Sequence, residues 1–197
     1  MLQRTTTYTF LIYSLCFIFI LSACSVESDI QIPNKLNYQV EEFTFTNHEN
    51  EPFGLSDLEN KIWVADFIFT NCTTVCPGMT FNMVELQAKM NEAGIEADIV
   101  SFSVDPKVDT PEVMKEYVSK FGGDLSNWHL LTGYSDEVIQ SFAKNSFKTL
   151  VQKETSSNQV IHGTSFYLID QSGTIVAKYD GNDPDYEQII KDLQALK

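Results

Sequence analysis

The sequence is short of glycine, proline and basic residues, and each shortage excludes a class of protein. With 9 glycines and 6 prolines in 197 residues, the chain is neither collagen-like nor of low complexity, and 43% hydrophobic residues exclude a wholly disordered chain. Lysine and arginine together number 13 against 27 aspartates and glutamates. Because so acidic a surface repels phosphate backbones, we expect no nucleic acid partner.

Cysteine is scarce too, with four residues at positions 16, 24, 72 and 76. A domain of about 150 residues buries roughly 70% of the surface that its unfolded chain exposes, so this chain can form a core without a set of disulfides. Its length suits one globular domain. The cysteines are therefore available for chemistry.

The N-terminal segment is predicted to direct export. No charged residue occurs between Thr5 and Val26, and Phe10 to Leu21 is a run of 12 almost wholly apolar residues, the length typical of a signal peptide. The sequence Leu21-Ser22-Ala23-Cys24 that follows resembles the bacterial lipobox. We therefore predict a lipoprotein signal peptide over 1–23 and lipidation of Cys24. An uncleaved signal anchor or an ordinary cleaved signal would also fit these residues, and all three place the domain outside the cytoplasm.

After Cys24 the chain divides into two parts. Residues 24–38 are mostly polar without a sustained period, which predicts a membrane tether, and residues 39–197 form the predicted domain. Cys16 lies in the predicted signal peptide and Cys24 would be blocked by lipid. Only Cys72 and Cys76 then remain as free thiols.

Strand and helix patterns alternate along the domain. Strands are predicted in a hairpin over 42–58, as buried segments at 62–69, 98–104 and 128–132, and as a second hairpin formed by 165–169 and 174–179. Helices are predicted to start at Pro77, at Pro111, after Ser135 and near Pro184. On the first helix the expected core residues are Phe81, Val84, Leu86 and Met90. This α/β order resembles a thioredoxin-like fold with a mixed central sheet, helices on both faces and an added N-terminal β-hairpin.

The dithiol lies where chemistry gathers in such a fold. Cys72-Thr73-Thr74-Val75-Cys76-Pro77 follows the first central strand, and the proline places Cys76 at the start of a helix and Cys72 in the preceding loop. A helix N-terminus favours thiolate, the form that binds metal and attacks disulfides. A redox dithiol, a structural disulfide and a metal site are all compatible with the spacing.

The three histidines limit which metal the thiols could bind. A structural zinc site needs four protein ligands, whereas two thiolates and one imidazole form a three-ligand site that suits copper. We expect His48 to be a solvated turn residue and His129 to be packed in a strand. His162 precedes Gly163 in a segment that lies near the dithiol in a thioredoxin-like sheet. The polar stretch 148–158 could be a mobile lid that brings His162 to the thiols.

Three motifs together resemble the SCO/SenC family of copper-binding proteins needed for cytochrome c oxidase assembly. They are Cys72-Thr73-Thr74-Val75-Cys76-Pro77, Val104-Asp105-Pro106 with Asp109-Thr110-Pro111, and His162 ahead of Phe166-Tyr167-Leu168-Ile169-Asp170. The resemblance implies a copper ion bound by Cys72, Cys76 and His162. It also implies that Asp105 lies near the copper, behind the ligands or as a weak extra ligand. Otherwise, Asp105 is a turn residue set by Pro106.

Two positions depart from the pattern of several relatives, which have proline after the first cysteine and aspartate before the histidine. This chain has Thr73 and Ile161 there. The ligands are unchanged, but the surroundings that tune the histidine could differ.

The resemblance implies a lipid-anchored, extracytoplasmic copper chaperone of the cell membrane that serves the copper-bearing subunit of cytochrome c oxidase, with a thiol-disulfide reductant as a second partner. The main competing function is that of a thiol-disulfide oxidoreductase that uses Cys72 and Cys76 as its redox-active dithiol to reduce the cysteines of the oxidase copper site. A peroxidase or a copper sensor would also be compatible with these residues.

Overall fold

A six-stranded sheet forms the centre of the computed structural model, which describes residue 32 and residues 35–154 and 157–197. The predicted signal peptide, Cys24 and most of the predicted tether lie outside these residues. The strands are β1 (Tyr38–Gln39), β2 (Thr44–Thr46), β3 (Pro52–Gly54), β4 (Trp63–Ile68), β5 (Asp98–Ser103), β6 (Trp128–Leu131), β7 (Val151–Lys153), β8 (Val160–His162), β9 (Ser165–Ile169) and β10 (Thr174–Asp180). The helices are α1 (Cys76–Glu92), α2 (Pro111–Lys120), α3 (Asp136–Phe147) and α4 (Tyr186–Ala195).

The sheet is mixed, as predicted. Its strand order is β1-β10-β9-β4-β5-β6, in which β4, β5 and β6 are parallel and the other neighbours are antiparallel. All six residues of β4 are buried, because helices or the N-terminal hairpin cover both faces of the sheet. The carboxyl ends of the parallel strands form one edge, where the loop with Cys72 begins.

The helices cover the two faces unequally. Side chains of α1, α2 and α4 pack in one core cluster, and those of α3 pack in the other. Thr110 and Ser135 cap α2 and α3 by accepting hydrogen bonds from backbone N–H groups, as their sequences predict. The prediction of Phe81 as a core residue was wrong, since the residue is 54% exposed. Met79 and Met83 are buried instead, because they share the helical face of Leu86 and Met90.

The predicted N-terminal hairpin is confirmed as β2 and β3, which lie outside the central sheet. The predicted 42–58 span ends differently, because Leu55–Leu58 form a 3₁₀ turn. Thr46 and Thr132 exchange backbone hydrogen bonds of 3.0 and 2.9 Å, which join the hairpin to the end of β6. His48 is therefore buried, and its Nδ1 accepts a hydrogen bond of 3.3 Å from the backbone N–H of Leu130. The expectation of a solvated histidine was wrong.

The polar stretch 148–158 contains a strand that its composition hides. β7 lies within this stretch and pairs with β8, so that Val151 faces His162 and Lys153 faces Val160. Each strand is only three residues long, too short for a period to show in the sequence. The buried side chains of Val151 and Val160 attach the β7–β8 hairpin to the core.

The end of the predicted tether packs on the domain. Ile32 is buried, and the N–H of Leu36 donates a 2.8 Å hydrogen bond to the carbonyl of Val176 in β10. No helix in the described part of the chain has both the length and the apolar character that a membrane span requires.

Candidate metal centre

Cys72 and Cys76 lie where the sequence predicts them. Cys72 is in the loop after β4, where its N–H donates a 3.3 Å hydrogen bond to the carbonyl of Phe69, and Cys76 is the first residue of α1. The side chains of both are free thiols and are buried, with exposed fractions of 6% and 0%. The loop thus brings two sulfurs together at the carboxyl edge of the parallel strands.

His162 completes the cluster. Its Nε2 lies 3.3 Å from the Sγ atom of Cys76, and one ligand atom from each of Cys72, Cys76 and His162 lies within 4.8 Å of the others. Cys72 and Cys76 come from the loop after β4 and the start of α1. His162 comes from the end of β8, 86 residues after Cys76. Two thiols and an imidazole form a donor set that suits a soft, thiophilic metal ion and that offers no carboxylate to calcium or magnesium.

The imidazole of His162 is held in one tautomer. Its Nδ1 lies 2.9 Å from the carbonyl oxygen of Gly163, and a carbonyl only accepts, so Nδ1 carries the hydrogen. The ring also meets the edge of Phe69, at 5.6 Å between centroids. Burial lowers the pKa of His162 and favours the neutral ring. The lone pair of Nε2 is therefore directed at Cys76, as a metal ligand needs to be.

The two thiols differ in acidity. Burial raises the pKa of Cys72, but hydrogen bonds from Cys76, whose N–H lies 3.3 Å from the sulfur, and from Thr74 outweigh it, so that the net pKa is lowered. Burial raises the pKa of Cys76 well above its ordinary value. Cys72 is therefore the readier thiolate, and Cys76 as a thiol can donate to the Nε2 of His162.

A glycine is needed at position 163 because the backbone there passes close to Thr149, which follows α3. A Cβ atom at this position would lie 2.2 Å from the Oγ1 atom of Thr149, far inside contact distance. A side chain there would displace either Thr149 or the backbone that carries His162. The glycine after the histidine thus serves the packing of the β7–β8 hairpin against the end of α3.

Asp105 does not join the cluster of ligand atoms. Its carboxylate is 1% exposed and accepts from the Nζ atom of Lys153 at 2.7 Å. Lys153 belongs to β7, directly opposite Val160 in the strand that ends at His162. Asp105 and Lys153 therefore connect the loop after β5 to the hairpin that holds the imidazole.

Replacing Lys153 by methionine is expected to loosen the hairpin. The change leaves the Asp105 carboxylate buried without its cation. An unpaired buried group costs about 1–3 kcal/mol, and the cost here should lie in the lower part of that range because the lysine is 35% exposed. Hydrogen exchange of the β7 and β8 amides should then become about tenfold faster. The control is Lys107→Met, which removes the ion pair of a more exposed lysine, 69% exposed, with Asp136 at the start of α3. Equal exchange in the wild type and Lys153→Met would contradict the connecting role.

Asp109 supports the cysteine loop from beneath, a role that the sequence did not predict. Its Oδ1 accepts from the N–H and hydroxyl of Thr70, at 3.2 and 2.6 Å, and its Oδ2 accepts from the hydroxyl of Ser103 at 2.6 Å. Its carbonyl accepts from the hydroxyl of Thr132. One buried residue therefore joins the ends of β4, β5 and β6. Its place between Pro106 and Pro111 was visible in the sequence, but its partners were not.

The other two histidines lie outside the cluster. His129 was predicted to be packed, and it is: its Nε2 lies 3.1 Å from an Asp98 oxygen, and its ring stacks on Phe53 with centroids 4.2 Å apart. His48 lies in the turn of the N-terminal hairpin and accepts from the backbone N–H of Leu130. Among the described residues, Cys72, Cys76 and His162 form the one group of three or more His, Cys, Asp or Glu side chains placed to hold a metal ion.

Comparison with known proteins identifies the chain's relatives. Residues 33–197 match the family model described as SCO1/SenC. The chain is 44% identical over 183 residues to the SCO1 protein homolog of Bacillus subtilis strain 168, a match that covers 92% of each.

Solved structures of the same family share the fold. A SCO1/SenC family lipoprotein from Bacillus anthracis has a TM-score of 0.82 at 52% identity, over 84% of this chain and 99% of that one. BsSco, described as a member of the Sco family of cytochrome c oxidase assembly proteins and studied for a disulfide switch, has a TM-score of 0.78 at 43% identity, over 84% and 97%. ScoI from Bradyrhizobium japonicum with copper bound has a TM-score of 0.67 at 25% identity, over 81% and 99%.

Proposed function

The chain belongs to the SCO1/SenC family, and from this we propose that it is a membrane-anchored, extracytoplasmic copper chaperone for the dinuclear copper centre of cytochrome c oxidase. One observation carries the proposal: ligand atoms of Cys72, Cys76 and His162 lie within 4.8 Å of one another at the edge of the sheet. Copper bound in a relative and oxidase assembly in another support the choice of cargo and destination.

The chemistry of the three side chains fits copper as a cargo. Thiolates and a neutral imidazole are donors that copper prefers, and three ligands leave room for a ligand from a receiving protein. Binding would release the proton from Cys76, because a thiol must become a thiolate to ligate. The hydrogen bond from Nδ1 of His162 to Gly163 keeps Nε2 available throughout.

The redox state of the dithiol would control cargo binding. Joining Cys72 and Cys76 in a disulfide removes two electrons and two protons, and a disulfide sulfur is a poor metal ligand. A thiol-disulfide reductant would return the pair to the binding state. The lowered pKa of Cys72 makes its sulfur the one that attacks or is oxidised first.

The lipid at Cys24 would hold the protein on the membrane that contains its target. Confinement to one surface raises the frequency of encounters without an added contact. The lipoprotein among the solved relatives supports this anchor.

A second candidate function, reduction of the cysteines of the oxidase copper site, is favoured by the unequal thiols. A Cys72 thiol whose pKa is lowered, next to a second thiol at a helix N-terminus, is the arrangement of a thiol-disulfide oxidoreductase. Both functions need the same two sulfurs, so the distinction must come from what the cell lacks when the protein is removed.

The test combines a titration with a deletion strain. The reduced chain, titrated with copper, is expected to form a one-to-one complex with a sulfur-to-copper charge-transfer band, and the oxidised chain to form none. Deleting the gene is expected to abolish oxidase activity, and added copper should restore it. Restoration by a thiol reductant and not by copper would assign the oxidoreductase instead, and a missing complex would contradict the chaperone.

A further inference from the structure

The twelve lysines of the described residues divide into two sets of six. Six form ion pairs with carboxylates: Lys61, Lys107, Lys115, Lys120, Lys153 and Lys191. The other six make no ion pair with a described carboxylate: Lys35, Lys89, Lys144, Lys148, Lys178 and Lys197. In a chain with 27 acidic residues, half of the lysines thus retain an unneutralised charge.

Four lysines of the second set lie in one region. Lys148 and Lys178 line a groove with Tyr38, and Lys148 also lines a neighbouring groove with Lys144 and Leu150. The Nζ atom of Lys148 lies 5.8 Å from the centre of the Tyr38 ring. Lys35 is adjacent to Leu36, which lines the first groove. We name this surface, formed by Lys35, Tyr38, Lys144, Lys148, Leu150 and Lys178, the lysine face.

None of the four lysines of the lysine face forms an ion pair with a carboxylate of the described residues. The one carboxylate that lines either groove is Asp192, which is buried and accepts hydrogen bonds of 2.6 and 2.8 Å from Tyr179 and Gln188. Glu41 lies at the border, where it accepts from Asn145 at 3.3 Å. Four lysines against these two carboxylates leave the lysine face with an excess of positive charge.

Apolar side chains project among these lysines. Leu150 is 59% exposed and is among the most exposed large hydrophobic residues described, and Tyr38 is 37% exposed. Clustered lysines with exposed aromatic and aliphatic side chains match a lipid surface, where cations meet phosphates and apolar groups enter the headgroup layer.

We propose that the lysine face docks on a bilayer of anionic lipids. Charge complementarity selects this occupant, since an acidic protein would otherwise be repelled by such a surface. The position of the face agrees: Lys35 follows the predicted lipid site Cys24 by 11 residues, which span at most about 40 Å. Ile32, which is buried against the domain, lies only three residues before Lys35, so the chain enters the domain close to the surface that docks.

Docking would also set the position of the metal centre, a consequence that rests on the proposed function. Leu150 directly precedes β7, and Val151 of β7 faces His162 across the hairpin. Contact between the lysine face and lipid would thus hold the hairpin with the imidazole near the bilayer that contains the receiving enzyme.

The test uses the full lipidated chain in lipid nanodiscs. On discs that contain phosphatidylglycerol, amides of residues 144–150 should exchange hydrogen about fivefold more slowly than on discs of phosphatidylcholine alone, since one lysine near an anionic surface contributes about that factor. High salt should remove the difference. The double variant Lys144→Glu/Lys148→Glu should lose it too.

The matched control is Lys89→Glu/Lys197→Glu, which reverses two equally unpaired lysines elsewhere, beside Tyr186 and Gly94. It should keep the protection. Equal exchange of the wild type on both discs, or an equal loss in the control, would overturn docking. Protection that needs an added acidic protein on either disc would overturn it in favour of a protein partner. Copper titration of the same samples is independent, so a failure of docking leaves the chaperone standing.

Discussion

Replacing His162 by alanine is expected to lower the copper affinity of the reduced chain by about 100-fold or more, while the disulfide between Cys72 and Cys76 still forms. The reason lies in the geometry: Nε2 of His162 is the one nitrogen in the ligand cluster, 3.3 Å from the Sγ atom of Cys76. Loss of partners that merely orient a ligand costs about 10–100-fold in affinity, and loss of the ligand itself should cost at least the upper value.

The measurement is a competition titration of wild type and variant with a copper chelator, beside a thiol count before and after oxidation. Ile161→Ala is the matched control, because Ile161 is the neighbouring residue of β8 and its side chain is 49% exposed. The control should keep its affinity. If His162→Ala binds copper as tightly as the wild type, the three-ligand site is refuted and the dithiol alone must account for binding.

The sequence could predict this site as far as local geometry reaches. The apolar run before Cys72 places that thiol in the loop after a buried strand, and the proline after Cys76 places the second thiol at the start of a helix, where the structure has them. The approach of His162 was predicted from the fold and from the family resemblance, because no local pattern spans 86 residues.

The supporting groups could not be predicted, because they depend on pairs that form only in three dimensions. Asp105 was expected near the metal, yet its partner Lys153 lies in a strand of three residues that no period reveals. His48 looked like a turn residue until the hairpin folded onto β6 and buried it. In both cases a tertiary contact overrides a correct local assignment, the turn at Asp105 and the hairpin at His48.

The second large effect concerns Asp66, a carboxylate in the middle of β4. It is 0% exposed, its Oδ1 accepts a 2.5 Å hydrogen bond from the hydroxyl of Ser101, and its Oδ2 has no hydrogen-bond partner in the described structure. Burial raises the pKa of Asp66 from its ordinary 3.8 to about 7. A carboxylic acid, rather than a carboxylate, is thus the form that the core accommodates.

The sign of the pH dependence follows from this shift. As the pH rises from about 4 to about 7, the unfolded chain has already lost the Asp66 proton while the folded chain retains it, so the free energy of unfolding falls. The full loss is on the order of 4 kcal/mol, at about 1.4 kcal/mol per unit of pKa. The contribution is fully present below about pH 4 and absent above about pH 7.

Asp66→Asn, which cannot ionise, should remove this contribution. Denaturant unfolding of the reduced chain at steps from about pH 4 to about pH 8 should show the variant gaining stability relative to the wild type as the pH rises, by up to that amount. Asp183→Asn, at an exposed position, is the control and should follow the wild type. A parallel pair of curves for Asp66→Asn and wild type would mean that the fold accepts an ionised carboxylate between β4 and its neighbours. The buried, unpartnered Oδ2 argues against that, because burying an ionised carboxylate without a partner costs more free energy than burying the protonated acid.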